Sequence, residues 1–301
     1  MSYSPQLEFY KKRQFGEKVN ATFVFIRENA WPYLKVQLMI VGPILLLVSI
    51  LMNDAAMGLG FNFAEGITAN DIIGMMEIYG LMLLTSLVTT TVIPAVTYGY
   101  MMAYQEHAPK DITVAAVISG FASRFFNILG MNILTYIVVL IASVFFIFPG
   151  IYVAIVLSLC SSIIVFESSN PIDAFGRAFK LISGKWWSTF GLLVVMGIIG
   201  YIINFFFGLP RGIVMGIDAF TSFQENGDID GLELVSNSNR ALNIVFSLFE
   251  TFGSILLYAL VYIAMAFQYF NLVERRESRG LVAKIEQMDN DGVEEDANED
   301  Y

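Results

Sequence analysis

The sequence predicts an all-α, polytopic membrane protein. It has six transmembrane helices and about three amphipathic, interfacial helices on the cytoplasmic side. Three observations carry this. Of 301 residues, 56% are hydrophobic and only 15% charged, whereas about a quarter of a soluble domain is charged. Several apolar runs exceed the ~18 residues that mark a membrane span. Between them recur short amphipathic stretches with Lys or Arg and an aromatic end.

The net charge of −10 describes the tail more than the body. All ten acids from Glu274 to Asp300 lie beyond the last apolar run. Cys160 is the only cysteine and His107 the only histidine, which excludes an intramolecular disulfide and a Cys or His metal cluster. No serine triad, phosphate loop or paired metal-ligand motif is present. About 35 polar or amphipathic residues precede the first span, unlike a secretory signal, so an uncleaved chain is expected.

Residues 1–33 form an N-terminal cytoplasmic segment. Phe15, Val19, Phe23 and Ile26 recur at helical spacing, while Glu17, Lys18, Asn20 and Arg27 fall elsewhere on the wheel. That predicts an amphipathic helix in the headgroup plane. Trp31 at its end suits the aromatic belt. The first span, about 34–52, contains Gly42-Pro43, tolerated where neighbours satisfy the freed carbonyl. The second, about 75–104, is polar in its middle (Thr85, Ser86, Thr89, Thr90, Thr91) and contains Pro94. It exceeds what a bilayer needs, so tilt, a kink or protrusion is expected.

A second amphipathic stretch covers 111–128, marked by Ile112, Val117, Phe121, Phe125 and Arg124. Spans three and four, about 129–148 and 151–166, meet at Pro149-Gly150, which predicts an antiparallel hairpin turning there. In the third stretch Asn170 is the N-cap, Pro171 the first helical residue, and Asp173 sits in the first turn. Ile172, Phe175, Phe179 and Ile182 make one face, and Gly184 ends the helix. Trp186 and Trp187 then read as interfacial anchors. Span five is about 186–207, residues 208–240 form the longest outer loop, and span six is about 242–273. The tail, 274–301, is acidic and largely disordered by composition.

Charge sets the orientation. Fifteen of the 17 Lys and Arg precede span one, lie between spans two and three or four and five, or follow span six. Only Arg211 and Arg240 fall on the other side. The positive-inside rule then places both termini in the cytoplasm. An offset of 54 residues aligns Ile118, Phe121, Phe125, Ile128 and Gly130 with Ile172, Phe175, Phe179, Ile182 and Gly184. This predicts three repeated units, each an interfacial helix followed by a two-span hairpin.

The stretch from Pro149 to Leu192 holds PGIY, a span ending in an acidic residue, then PIDAFGRAF and GKWW. It resembles the glycerophosphoryl diester phosphodiesterase membrane-domain family and its uncharacterised bacterial six-span relatives. The resemblance implies a bacterial inner-membrane location. It implies no activity, because the family's catalytic barrel, with metal-binding acids and paired histidines, has no counterpart here.

Glu250 is the most informative candidate. A carboxylate near the centre of a spanning helix costs about 2.5–3.5 kcal/mol on insertion scales. Apart from Lys35 at the very start of span one, no Lys or Arg falls within a predicted span to pair with it. One reading is a proton or cation site, with Asn204 and the Thr89 region contributing to a polar cavity. The other is a hydrogen-bonded carboxyl facing the bundle, with Asn204 or Asn243 beside it. Thr85 to Thr91 either line a polar path or satisfy their own helix carbonyls, and Asn127, Asn132 and Asn204 read as interhelical glue. No catalytic, cofactor or metal residues are identified. The expectation is a non-enzymatic scaffold or accessory membrane subunit. The alternative is a small transporter or lipid-handling protein using Glu250 and the threonines. Expected partners are the lipid bilayer and other membrane proteins or further copies of the chain, not nucleic acid.

Overall fold

The computed structural model describes residues 7–57, 69–145, 147–226 and 240–286. The predicted loops at 53–70 and 208–240 and the tail therefore lie partly outside the described residues. Among those described, the chain is all-α with no strand.

Ten helices follow in order: α1 Phe15–Ile40, α2 Gly42–Met57, α3 Ala69–Glu106, α4 Val114–Phe121, α5 Phe125–Phe145, α6 Ile147–Leu157, α7 Cys160–Glu167, α8 Pro171–Ile182, α9 Trp186–Asn226 and α10 Arg240–Glu277. Five helical segments are long and apolar enough to cross a membrane. The count is six if the bent pair Phe15–Ile40 and Gly42–Val48 is one crossing.

The first amphipathic stretch is not a separate helix. α1 runs unbroken through Pro32 into the predicted first span, and the bend of 48° falls after Ile40. The chain bends where Gly42-Pro43 follows, because proline has no N–H to continue the ladder. Its faces are mixed: Lys18, Ala21, Thr22, Phe25 and Asn29 face inward, while Phe15, Phe23 and Trp31 are exposed together with Glu17, Asn20 and Arg27. The buried polar groups Lys18, Thr22 and Asn29 have hydrogen-bond partners.

α3 passes straight through Pro94 in one 38-residue helix. Proline leaves the carbonyl four residues earlier without its helical donor. That carbonyl belongs to Thr90, and Asn132 of α5 donates to it at 2.9 Å. The same amide donates to Thr91 Oγ1 at 3.0 Å. Pro94 and Asn132 therefore form one structural unit across two helices.

The hairpin between spans three and four forms, but the turn is earlier than Pro149-Gly150. Both residues lie in the first turn of α6, where a proline costs no hydrogen bond. Gly150 is needed for closeness: a Cβ there would sit 2.1 Å from Ser143 Oγ on α5. The predicted fourth span is two helices, broken at Ser158 and Leu159, where the Ser158 hydroxyl donates to the Ile155 carbonyl at 2.7 Å.

α8 begins as read. Asn170 accepts from the Asp173 N–H at 2.9 Å, Pro171 opens the helix, and Gly184 follows its end at φ +72°. Its inward face differs: Ala174, Ala178, Leu181 and Ile182 are buried, while Ile172 is exposed. Small alanines let α8 lie close on α7, and Phe175 and Phe179 flank the contact. The aligned pair Ile118 and Ile172 are both exposed, and Ile128 and Ile182 both buried. Gly130 and Gly184 differ: the first lies inside α5 and the second in a turn.

α9 continues through Pro210 to Asn226, so 208–226 is helix and not loop. It packs along α10 with glycines as sockets. A Cβ at Gly200 would lie 2.6 Å from Leu257, and one at Gly253 2.6 Å from Phe207. The start of the tail is ordered too, with 279–286 helical after Ser278 at φ 51°.

The core sits at one end of the bundle. α3 is buried almost throughout 91–104 and α10 throughout 263–274, with α1 and α7 packed against them. Aromatic rings fill it: Phe9 on Phe270 at 4.9 Å, Phe25 on Tyr104 at 5.2 Å, Phe166 on Phe270 at 4.7 Å. At the other end α3 is exposed from Ile72 to Leu84. α4 packs on α3, α8 on α7 and α1 on α10.

Candidate functional site

The continuation of α9 changes the reading of Glu250. Arg211, one residue past Pro210, reaches across to α10, and its Nη1 lies 3.2 Å from Glu250 Oε2. Both side chains are about 30% exposed (30% and 31%). The expected lone carboxylate is thus an ion pair. Sequence reasoning missed it because the span was ended at about Phe207, which placed Arg211 in the outer loop. Asn204 does not reach Glu250. Its amide donates to Ser254 Oγ at 3.2 Å, and Ser254 donates to the Glu250 carbonyl at 3.0 Å. The side chain of Asn243 lies outside the described residues.

The threonines bond largely to their own helix. Thr85 donates to the Leu81 carbonyl, Thr89 to Thr85 and Thr90 to Ser86, at 2.6–2.8 Å. Tyr136 of α5 adds contacts to Ser86 and Thr90 at 2.8 and 3.0 Å. Thr85 and Thr89 do face a cleft, together with Leu45, Val48, Thr251, Ser254 and Tyr258. Its volume is about 170 Å³, and Glu250 is not among its lining residues. Among the described residues, no three His, Cys, Asp or Glu come together.

The anchors divide. Trp31 and Trp187 are 75% and 76% exposed. Trp186 turns inward, stacked on Tyr152 at 5.6 Å and Phe190 at 5.3 Å.

The densest polar chemistry lies at the core end, among residues that the sequence reading did not single out as a site. The Glu167 carboxylate ends α7 and accepts from Arg177 of α8, with Nε to Oε2 at 3.0 Å and Nη2 to Oε1 at 2.9 Å. The Tyr269 hydroxyl of α10 donates to it at 3.0 Å, and Arg279 lies 3.5 Å away. Arg177 also pairs with Glu277, which Arg279 reaches at 2.7 Å. Two acids and two guanidinium groups thus close a balanced ring across α7, α8, α10 and the tail. Burial works against ionising Glu277, but Arg177 and Arg279 outweigh it and hold its carboxyl below the usual range. Beside the ring, Arg276 donates to the Leu181 and Ser183 carbonyls at the end of α8. The signal was available: Glu167 and Arg177 both lie in the specific 149–192 stretch.

Lys18 lies across the same end of the bundle and is 1% exposed. Its ammonium donates to Gln268 Oε1 at 2.6 Å and Ser188 Oγ at 2.8 Å, and sits 5.6 Å from the Phe15 ring centre. Gln268 passes the chain on to Thr189 Oγ1 at 2.8 Å. No carboxylate pairs with it among the described residues.

These features define an all-α bundle whose long apolar helices suggest a membrane protein and whose polar groups are knit together at one end. The chain belongs to the family described as a domain of unknown function (DUF7847), which matches residues 82–272, well over half of its length. That match contains the whole Pro149–Leu192 stretch, but it gives no link to the glycerophosphoryl diester phosphodiesterase membrane-domain family. No curated protein and no solved structure matches the chain.

Proposed function

We propose that the chain is a six-span integral protein of a bacterial cytoplasmic membrane, with both termini in the cytoplasm, serving as a scaffold or accessory subunit. The long apolar helices support the membrane setting, as does the later part of α1, which buries Asn29 and Gln37 while exposing Trp31, Leu38 and Met39. The distribution of Lys and Arg supports the orientation. The packing of α1 on α10, α4 on α3 and α8 on α7 supports a threefold repeat plan.

One observation carries the scaffold reading: apart from Gln37 Oε1 and the Tyr98 hydroxyl, the buried polar side chains described have hydrogen-bond partners inside the protein. Glu250 has Arg211, Asn132 has Thr90, and Lys18 has Gln268 and Ser188. Little polar chemistry is left to handle a solute. The second reading, a small transporter or lipid-handling protein, draws on the cleft of about 170 Å³ between Thr85, Thr89 and Ser254. That volume has room for a few waters but not for a drug-sized solute.

The test is in-membrane crosslinking of the full chain, wild type and Glu250→Gln, compared with flux in proteoliposomes. A scaffold gives the same defined adducts from both proteins and no proton flux above empty vesicles. Proton flux that Glu250→Gln abolishes would replace the scaffold with the carrier.

A further inference from the structure

One cleft lies outside everything described so far. Ile151, Ala154 and Ile155 of α6 and Phe190, Leu193 and Val194 of α9 line a space of about 350 Å³. All six side chains are apolar. Trp186 ties the two helices beside it, its ring on Tyr152 and its indole N–H donating to the Tyr152 carbonyl at 3.3 Å. The turn from α8 into α9 lies at that same end. It carries Lys180 and Lys185, both exposed, and receives Arg276 on the Ser183 carbonyl. None of these three cations makes an ion pair among the described residues. The Asp173 carboxylate on α8 is held by Asn170 at 2.7 Å, at the opposite end of that helix.

We propose that this cleft binds an anionic phospholipid of the cytoplasmic leaflet. One acyl chain lies between α6 and α9, and the phosphate sits at the Lys180–Lys185 turn. The proposal rests on the membrane reading above. The apolar lining alone does not select a lipid, because hydrocarbon already surrounds the bundle. Selection comes from Lys180 and Lys185, exposed and without an ion pair among the described residues, at the end of α8 and beside the tryptophan that flanks the slot. A transmembrane helix from another copy would be served poorly by that charge, since its apolar surface brings nothing to pair with it.

The test uses the full chain in vesicles of equal phosphatidylglycerol and phosphatidylcholine. After mild detergent extraction, native mass spectrometry counts the lipids retained. Phosphatidylglycerol should be retained in preference, at one per chain. Lys180→Gln with Lys185→Gln, both at exposed positions, should lower that retention by on the order of tenfold. Ala154→Phe, which fills the cleft, should expel the lipid. Equal retention of the two lipids, or undiminished phosphatidylglycerol in the double variant, would overturn the proposal. So would an inter-chain crosslink through Leu193→Cys at the cleft. Resistance to alkaline carbonate extraction separates the two levels. A chain released by carbonate fails the membrane reading itself, whereas a retained chain with no lipid preference fails only this inference.

Discussion

Gly99→Val should detach α4 from α3 and remove most of the folded protein. Gly99 faces the close approach of two helices. A Cβ there would lie 2.6 Å from the Val117 carbonyl oxygen and 2.8 Å from the Phe121 ring. From the other side, a Cβ on Gly120 would lie 3.2 Å from the Gly99 Cα. Glycine faces glycine, so the backbones nearly touch. Two effects oppose each other in Gly99→Ala. Helix propensity favours alanine by up to about 1 kcal/mol. Overpacking costs about 1–3 kcal/mol, and here the obstacle is a backbone carbonyl held inside α4. The clash wins. Gly99→Ala should lose about 1–2 kcal/mol and Gly99→Val more than about 3, read as thermal midpoint and as the monodisperse fraction after solubilisation. An unchanged midpoint in Gly99→Ala would show that the helices do not approach this closely.

Glu167→Gln is the second large effect. The substitution keeps the shape and removes the charge. Glu167 accepts two hydrogen bonds from Arg177 and one from Tyr269, and its side chain is 13% exposed. Without it, Arg177 and Arg279 share the single carboxylate of Glu277. Removing one partner of a mostly buried ion pair costs more than the pair contributes, because the remaining charge stays desolvated. A loss of about 2–3 kcal/mol is expected. The loosened end should also show. Arg279 and Gly280 begin the helical stretch 279–286, and the Glu274 carboxylate accepts from the Gly280 N–H at 2.7 Å. Limited proteolysis should therefore cut the tail earlier in Glu167→Gln. Equal midpoints and equal cleavage would mean that the ring is ornamental. Arg177→Lys is a useful companion, since lysine keeps the charge but loses the two-pronged contact.

Local rules were legible where local physics decides. The Asn170-Pro171-Asp173 start of α8 and the Gly184 stop hold as read, because caps depend on a few adjacent residues. The apolar runs gave the crossings, since length against bilayer thickness is a one-dimensional test. Misreadings came where tertiary contact overrides the local signal. Pro94 was a candidate kink, yet it lies inside a single helix, and the reason is Asn132, 38 residues away. Gly42-Pro43, read as lying within a span, marks the bend between α1 and α2. The Phe15–Ile26 stripe was read as the apolar face of a helix in the headgroup plane; Phe15 and Phe23 are exposed, and Lys18, Thr22 and Asn29 are buried against other helices. Amphipathicity tells which faces differ, not which medium each one meets. Glu250 stood out as an acid within a predicted span, and the structure pairs it with Arg211. Its partner Arg211 was hidden by the helix boundary drawn at Phe207, a boundary error and not an error of chemistry. Lys18 and the Glu167 ring had no linear signature, because their partners are 10 to 250 residues distant.

The most direct test is of the topology on which the proposed function stands. Cys160 is buried and is the only cysteine, so Cys160→Ser gives a clean background. Single cysteines are then placed at the exposed positions Lys12, Lys180 and Gln224. Intact spheroplasts are treated with a membrane-impermeant maleimide. Six crossings with both termini inside predict that Gln224→Cys is labelled at once, while Lys12→Cys and Lys180→Cys react only after permeabilisation. Labelling of Lys12→Cys from outside, or identical behaviour of all three, would contradict it.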